Sequence, residues 1–430
     1  MSLTKNQIAI IFVGLILMVG VVLLFIYGSR ERGIDVSGNI TFWGVFDSNL
    51  AMNQAIAAYR AQSPYVNVSY RQVDPASYES ELIDALASGK APDVIMFHNS
   101  WLPKHFNKIV PFSSELITID KYRALFPTIA EQDFAPDGKI FALPLYIDTL
   151  AMFYNQDIFD NASIALPPKT WGDLEKMIPK LRQMDKLGRI QKPAAAIGGS
   201  NRSINRATDL LGLLMLQTGT QMVNDDFTNA TFASREGLNA LNFYTKFANP
   251  ISPSYTWGDS LPYSLDSFAN GDTAIIFNYA YQADLLKEKN PFLNFHVTGM
   301  LQPDDRTQDV NYGNYWGLAV TVGTRNVLAA QDFALKMTGD PAVAEQYLVA
   351  TKRPPALRSL ISKYSGDPEV GIFARQALTA RSWPQADPGQ IERILSDMVN
   401  TVLTGRRPAT QALEEAAGAV TQVMQTMPRR

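Results

Sequence analysis

Tyr146 and Asp148 stand two residues apart in a run of β-forming residues. On an extended chain that spacing puts an aromatic ring and a carboxylate on one face. Similar company recurs at Trp43 with Asp47, at Trp101, at Trp257 with Asp259, at Tyr279 and at Tyr315-Trp316, with Arg353 as a cation further on. Rings of this kind lie against the C–H faces of a sugar, while Asp, Asn and Arg accept from or donate to its hydroxyls. The same residues could hold choline or a polyamine by cation–π attraction, or an amphipathic peptide. Asp47, Asp148 and Asp259, if they converged, would also supply the paired carboxylates of a glycoside-cleaving enzyme. A third use of Tyr146 and Asp148 is structural: in a buried strand they would satisfy one another.

Other chemistries lack their residues. The sequence has no His-Glu-x-x-His, no Gly-x-Ser-x-Gly, no phosphate-cradling loop and no dinucleotide fingerprint. His98, His105 and His296 have no metal-ligand spacing and read as structural or solvated. Asp304-Asp305 with Asp309 lacks the glycine and terminal glutamate of a calcium loop. The absence of cysteine removes disulfides, thiolate chemistry and iron–sulfur clusters, and a net charge of −3 offers no basic field to nucleic acid. The reading is therefore of a binding protein, with no catalytic residues, no metal and no cofactor.

The elements that must position these residues follow from periodicity. With 430 residues, 46% of them hydrophobic, the chain suits two lobes better than one core. Ile40 to Phe46 alternates as a strand, Asp47-Ser48-Asn49 caps a helix to Gln62, Val66 to Val73 forms a second strand, a helix carries Tyr78, Leu82 and Leu86, and Val94 to Phe97 forms a third strand. This β-α-β-α-β order predicts an α/β lobe with a largely parallel sheet, whose ligand lies beyond the strands' carboxyl ends. Trp43 to Asn49 and His98 to Trp101 stand at such ends. Trp101 is either a stacking platform or a ring tucked beneath its own loop. Pro144 breaks the run from Gly138 to Tyr154 into two strands, since proline belongs at a strand end or edge. A second lobe opens at Thr170-Trp171-Gly172-Asp173, a capping-box start to a helix running to Leu187, and Leu210 to Leu216, apolar all round, predicts a helix buried inside that lobe.

Several motifs fall in a fixed order: Gly89-Lys90-Ala91-Pro92-Asp93-Val94, Gly138-Lys139 with Leu143-Pro144, Tyr154-Asn155-Gln156-Asp157-Ile158-Phe159, Pro168-Lys169-Thr170-Trp171, and Phe268-Ala269-Asn270-Gly271-Asp272-Thr273-Ala274. From Ile40 to the C-terminus this pattern resembles the extracellular solute-binding proteins of ABC importers, of the maltose and multiple-sugar type, with Gln156 for the usual lysine and Ile158 for leucine. The resemblance implies a periplasmic-binding-protein-like fold of two lobes, 39–145 with 318–352 and 146–317 with 353–430. It implies three hinge crossovers, at Pro144 to Thr149, at Asn311 to Gly317 (a glycine-rich turn into a strand) and at Lys352 to Ala356. It also implies a small-molecule ligand, carbohydrate being favoured, and permease subunits of an ABC importer as partners, the receptor acting as a monomer. Candidate ligand-binding residues are Trp43, Asp47, Trp101, Tyr146, Asp148, Trp257, Asp259, Tyr279, Tyr315, Trp316 and Arg353. On this reading Trp257→Ala and Tyr146→Ala weaken binding with little loss of folding. A glycosidase, or a surface sensor or adhesion protein on the same fold, remains the alternative.

The N-terminus supplies an anchor. Ile8 to Tyr27 is almost wholly apolar, long enough to cross a bilayer, and no small-x-small cleavage site precedes Arg30. Residues 1–29 are read as an uncleaved signal anchor, one transmembrane helix, and 30–38 as a tether. Lys5 on one side and Arg30 and Arg32 on the other give orientation almost no vote. The extracytoplasmic placement follows from the resemblance.

Overall fold

The structure, a computed structural model, describes residues 36–427. The predicted anchor at 1–29 and most of the tether lie outside the described residues.

The first sheet is built around β1 (Gly38–Gly44), whose Ile40 and Phe42 are buried while Asn39 and Thr41 face water. It pairs in parallel with β2 (Val66–Gln72) and with β3 (Val94–His98). The connecting helices form as their spacing predicts: Asn49–Gln62 buries Met52, Ala55, Ile56 and Tyr59, and Ser48 caps it by accepting from the Ala51 N–H. Beyond β3 the sheet changes sense. β4 (Ile109–Val110) and β5 (Leu143–Pro144) both pair antiparallel with a late strand, β13 (Trp316–Thr321), which also runs antiparallel to β3. The sheet is thus parallel only over its first three strands, because β13 returns from elsewhere in the chain and enters from the opposite end.

Two further sheets carry the remainder. β6 (Asp148–Thr149) pairs with β12 (Asn311–Asn314), which pairs with β14 (Ala380–Arg381). β7 (Ala151–Asn155) is the centre of an antiparallel triplet with β10 (Ile275–Asn278) and β11 (Phe295–Thr298). β8 (Gln183–Met184) and β9 (Ile190–Lys192) make a separate hairpin. The chain therefore passes between the first sheet and the second twice, side by side: from β5 through Tyr146 to β6, and from β12 through Tyr315 to β13. Pro144 sits at a strand end opposite Gly317, as proline requires. A Cβ on Gly317 would stand 2.6 Å from the Leu143 carbonyl oxygen, so only glycine lets these two strands approach. Asn311 to Gly317 is consequently a pair of strands and not the expected turn, since its backbone is taken up by β6 and β5. Lys352 to Ala356 also touches this bundle, Pro355 bridging to Tyr146. The helix after it, Arg358–Tyr364, still rests on the first lobe, with Arg358 Nε donating to the Phe126 carbonyl at 2.9 Å.

The second lobe's core holds the helix Ala207–Gln217, buried nearly all round as its sequence predicts. Its capping-box helix, Trp171–Leu181, has both reciprocal bonds between Thr170 and Asp173. It stops well short of Leu187, because Pro179 removes an N–H in the last turn and the chain then enters β8, turning at Gly188 with φ +76°.

Candidate functional site

The site lies where the crossing strands meet the ends of β3 and of the helix Ala207–Gln217. His98 ends β3, as the carboxyl-end rule for α/β sheets anticipates. Its Nδ1 is 2.7 Å from Ser100 Oγ, its Nε2 is 3.1 Å from Asn314 Oδ1, and its ring meets the edge of Trp316 at 5.0 Å. Burial pushes the imidazole down to about 4. It is neutral near pH 7, with Nε2–H donating to Asn314 and Nδ1 accepting from Ser100.

A cavity of about 240 Å³ opens here. Phe46, His98, Ser100 and Trp316 line it from the first lobe, Asn314 from the crossing strand, and Arg206, Asp209, Trp383 and Glu392 from the second lobe. A larger cavity, about 630 Å³, lies across the extended segment 382–386: Trp383 and Gln385 face the smaller space, Pro384 and Ala386 the larger. Among the described residues the larger one has Phe227 as its lone ring and no arginine or lysine, and its Asp133 already accepts from Asn99 and Tyr315. Rings alternating with donors and acceptors are concentrated in the smaller.

On the second-lobe wall Arg206 precedes the helix Ala207–Gln217 in left-handed backbone, φ +63°. For a residue with a Cβ this conformation costs on the order of 1–3 kcal/mol. Nη2 donates to the Tyr281 hydroxyl at 2.8 Å, the guanidinium carbon lies 5.4 Å from the Tyr279 ring centre, and Nη1 is 3.8 Å from Asp209 Oδ2. Nε is buried and has no hydrogen-bond partner among the described residues. Asp209 accepts from the Tyr279 hydroxyl at 2.7 Å, and Glu392 from Asn201 Nδ2 at 2.7 Å. Burial raises both carboxyls; Asp209 raises Glu392 further, while Arg206 opposes the rise in each. For Arg206 burial works against the charge, but Asp209 and the two tyrosines outweigh it and the guanidinium stays protonated.

Beside the cavity, joined to it through Phe46, a second cluster occupies the crossing itself. Arg353 points Nε and Nη2 at Asp47 Oδ1, both at 3.4 Å, and its guanidinium stands 5.0 Å from the Tyr146 ring centre and 5.7 Å from that of Phe46. Tyr347 donates to Asp47 Oδ2 at 2.7 Å. Asp148 accepts from the N–H groups of Thr149 and Ala280, at 2.8 and 3.1 Å, and so ties the first crossing to the end of β10. Burial raises its carboxyl to about 7, against the pull of those N–H groups and of Arg353.

The structure thus brings Asp47, Tyr146, Asp148 and Arg353 together and places Trp316 on the cavity wall. The other candidates from the sequence go elsewhere. Trp43 lies on the face of the first sheet under Arg71, whose guanidinium is 4.6 Å from its ring. Trp101 is 8% exposed, stacked on Tyr78 and edge-on to Trp316, beneath its own loop. Trp257 is fully buried, its Nε1 donating to Ser203 Oγ at 3.0 Å. Asp259 accepts from the Ser200 N–H and from the hydroxyls of Ser200 and Ser203, closing that loop. Tyr279 is buried and supports Asp209, and Tyr315 faces away from the cavity to donate to Asp133 at 2.8 Å. Each of these is consumed by packing. Asp259, occupied in this way, does not complete a carboxylate set with Asp47 and Asp148. The sequence reading missed Phe46, His98, Arg206, Asp209, Asn314, Trp383 and Glu392. One signal was available: Arg206 and Asp209, three apart, open an otherwise apolar buried helix, and charges in that position must face something.

Comparison with known proteins sets this geometry in context. The model of the family described as bacterial extracellular solute-binding protein matches residues 54–371. A binding protein of Brucella abortus is 21% identical over 253 residues, 56% of this chain and 57% of its own length, so the chain matches a little over half of that relative. Among solved structures, a cyclo/maltodextrin-binding protein complexed with maltotetraose superposes with a TM-score of 0.75 at 16% identity, covering 93% of this chain and all (100%) of the other. An ABC transporter solute-binding protein from Thermotoga lettingae, bound with α-D-tagatose, gives 0.69 at 22% identity, covering 90% of this chain and 100% of its own. At these identities the likeness establishes the shared two-lobed α/β fold.

Proposed function

The chain belongs to the bacterial extracellular solute-binding proteins, a family of receptors and not of enzymes, and from that premise we propose that it captures a sugar or oligosaccharide between its lobes and hands it to the permease subunits of an ABC importer. The observation that carries the ligand class is the make-up of the cavity. Phe46 and Trp316 offer ring surface, Trp383 is packed into the wall with 3% of its surface exposed, and among them stand His98, Asn314, Arg206, Asp209 and Glu392 as donors and acceptors. The relatives whose ligands are named bind tagatose and maltotetraose.

Capture is by hinge closure. The first lobe, 39–145 with 318–364, and the second, 146–317 with the rest of the chain, are joined by short crossings, two of them side by side, so the easiest relative motion is a bend about them. A ligand touching both walls stabilises the closed arrangement only, which is how binding becomes a signal to the permease. Residues 1–29 anchor the receptor in the membrane with the lobes on the extracytoplasmic side, and it acts as a monomer. A thermal-shift panel of neutral sugars, polyamines and peptides on the full chain tests the ligand class. A ligand at 100 times its Kd stabilises by about 2.7 kcal/mol, and for a sugar the melting temperature is expected to rise accordingly. A rise with polyamines or peptides and none with sugars would overturn the reading.

A further inference from the structure

Arg206 stands on strained backbone with its donors incompletely used. Its backbone is left-handed, where glycine or asparagine would sit with less strain. Its nearest carboxylate, Asp209, stands at 3.8 Å, beyond a hydrogen bond. Nε–H is enclosed by protein atoms and has no hydrogen-bond partner among the described residues, while 35% of the side chain remains exposed. At the same time the guanidinium is fixed from two sides, by the Tyr281 hydroxyl and by the ring of Tyr279. A partly exposed guanidinium carried on strained backbone, steadied by two tyrosines and with Nη1 beyond hydrogen-bond distance of Asp209, on the wall of a cavity, suits a site that offers a donor to a ligand oxygen.

We propose that Arg206 is the specificity-determining residue of the second-lobe wall, its guanidinium donating to one oxygen of a neutral vicinal diol whose neighbouring hydroxyl donates to Asp209. The proposal rests on the carbohydrate reading and narrows it. Asp209 has one oxygen engaged by Tyr279 and keeps acceptor capacity on the other. Adjacent hydroxyls match a donor beside an acceptor, because each can accept from one and donate to the other. Arg206 stands with Asp209 and Glu392 in the same wall, so neither an acid such as a uronate nor a simple amine meets a field of one sign, and a neutral diol needs none. His98, the titratable group facing them from the first lobe, is neutral and adds no charge.

The test is calorimetric titration of the full chain with D-tagatose, maltotetraose and D-galacturonate, on wild type, Arg206→Lys and Arg206→Gly. Lysine keeps the charge and the backbone strain but loses the fork; glycine relieves the strain and keeps no donor. Neutral-sugar affinity should fall 10- to 100-fold in both variants. The apo melting temperature should be unchanged with lysine and unchanged or higher with glycine, and galacturonate should bind wild type more weakly than the neutral sugars. Wild-type affinity in Arg206→Lys, or a glycine variant that melts lower yet binds sugar normally, would overturn the proposal and leave the carbohydrate reading standing. Tighter binding of galacturonate would overturn the neutral diol in the same way. If no probe bound the wild type, the carbohydrate reading would fail and take this proposal with it.

Discussion

Two arginine clusters of nearly the same composition lie near the cavity, and they are built to opposite ends. Arg353 has Asp47 within hydrogen-bond reach and the rings of Tyr146 and Phe46 around it, and its side chain and that of Asp47 are 13% and 3% exposed. Arg206 also has a carboxylate and two tyrosines, but its ion pair is longer, its backbone is strained, one nitrogen has no partner among the described residues and its side chain is 35% exposed. A satisfied cluster fixes the crossing; an unsatisfied one keeps capacity for something that arrives. Composition alone, an arginine beside an aspartate and rings, does not separate the two. The same contrast divides Trp257, fully buried in the second lobe, from Trp316 on the cavity wall.

The comparison can be broken in several places. The largest effect is expected at Trp257: truncation to alanine should cost about 3–5 kcal/mol of stability by urea denaturation, as for buried tryptophan generally. Ligand affinity in the folded fraction should be unchanged, the reverse of what its sequence neighbourhood suggests. Next, Asp47→Ala strands Arg353 as an uncompensated buried charge and should cost about 3 kcal/mol, whereas Asp209→Asn, which removes the charge but keeps an acceptor for the buried Tyr279 hydroxyl, should cost under about 1 kcal/mol, since the exposed end of Arg206 is already solvated. Equal losses in that pair would erase the distinction drawn here. Trp316→Ala should lower sugar affinity about 100-fold, roughly 2.7 kcal/mol, with a smaller change in melting temperature than Trp257→Ala shows.

The smallest effect is one of pH. Asp148 binds its proton more tightly in the folded state, at about 7, than at its ordinary 3.8, so the native form holds more protons across that window. Its contribution to stability is therefore full below the ordinary value and is lost as pH rises through about 7. Melting curves between pH 5 and pH 9 should show a decline of a few degrees that Asp148→Asn removes, and parallel curves for the two proteins would count against this assignment.

How much could be read in advance follows the physics of each feature. The first three strands and their helices were legible because their periods are local: Met52, Ala55, Ile56 and Tyr59 recur at helical spacing and are buried. The run from Pro144 to Asp148 was legible because proline restricts where a strand can end, and it does carry the chain from one sheet to another. The antiparallel entry of β13 was not, since its partners Leu143 and Met96 lie far away in sequence. Tyr146, Asp148, Asp47 and Arg353, singled out through ring and charge at element ends, do come together, but in the crossing, and of the sequence candidates only Trp316 lines the cavity. Trp257 and Asp259 have the same signature, yet Ser200 and Ser203 absorb them. Only the loop that folds over them decides this, and no pattern near residue 257 announces it. His98 was discounted because a lone histidine has no ligand spacing, and its role emerges only when Asn314 arrives from the other end of the chain.

The central claim is that one ligand engages both walls of the cavity and draws them together. Hydrogen–deuterium exchange of the full chain, with and without saturating neutral sugar, tests it most directly. Protection is expected to rise together at 98–100 and 314–316 on one side and at 206–209 and 383–392 on the other. Protection confined to one wall, with the opposite wall exchanging as before, would contradict closure around a ligand held by both lobes.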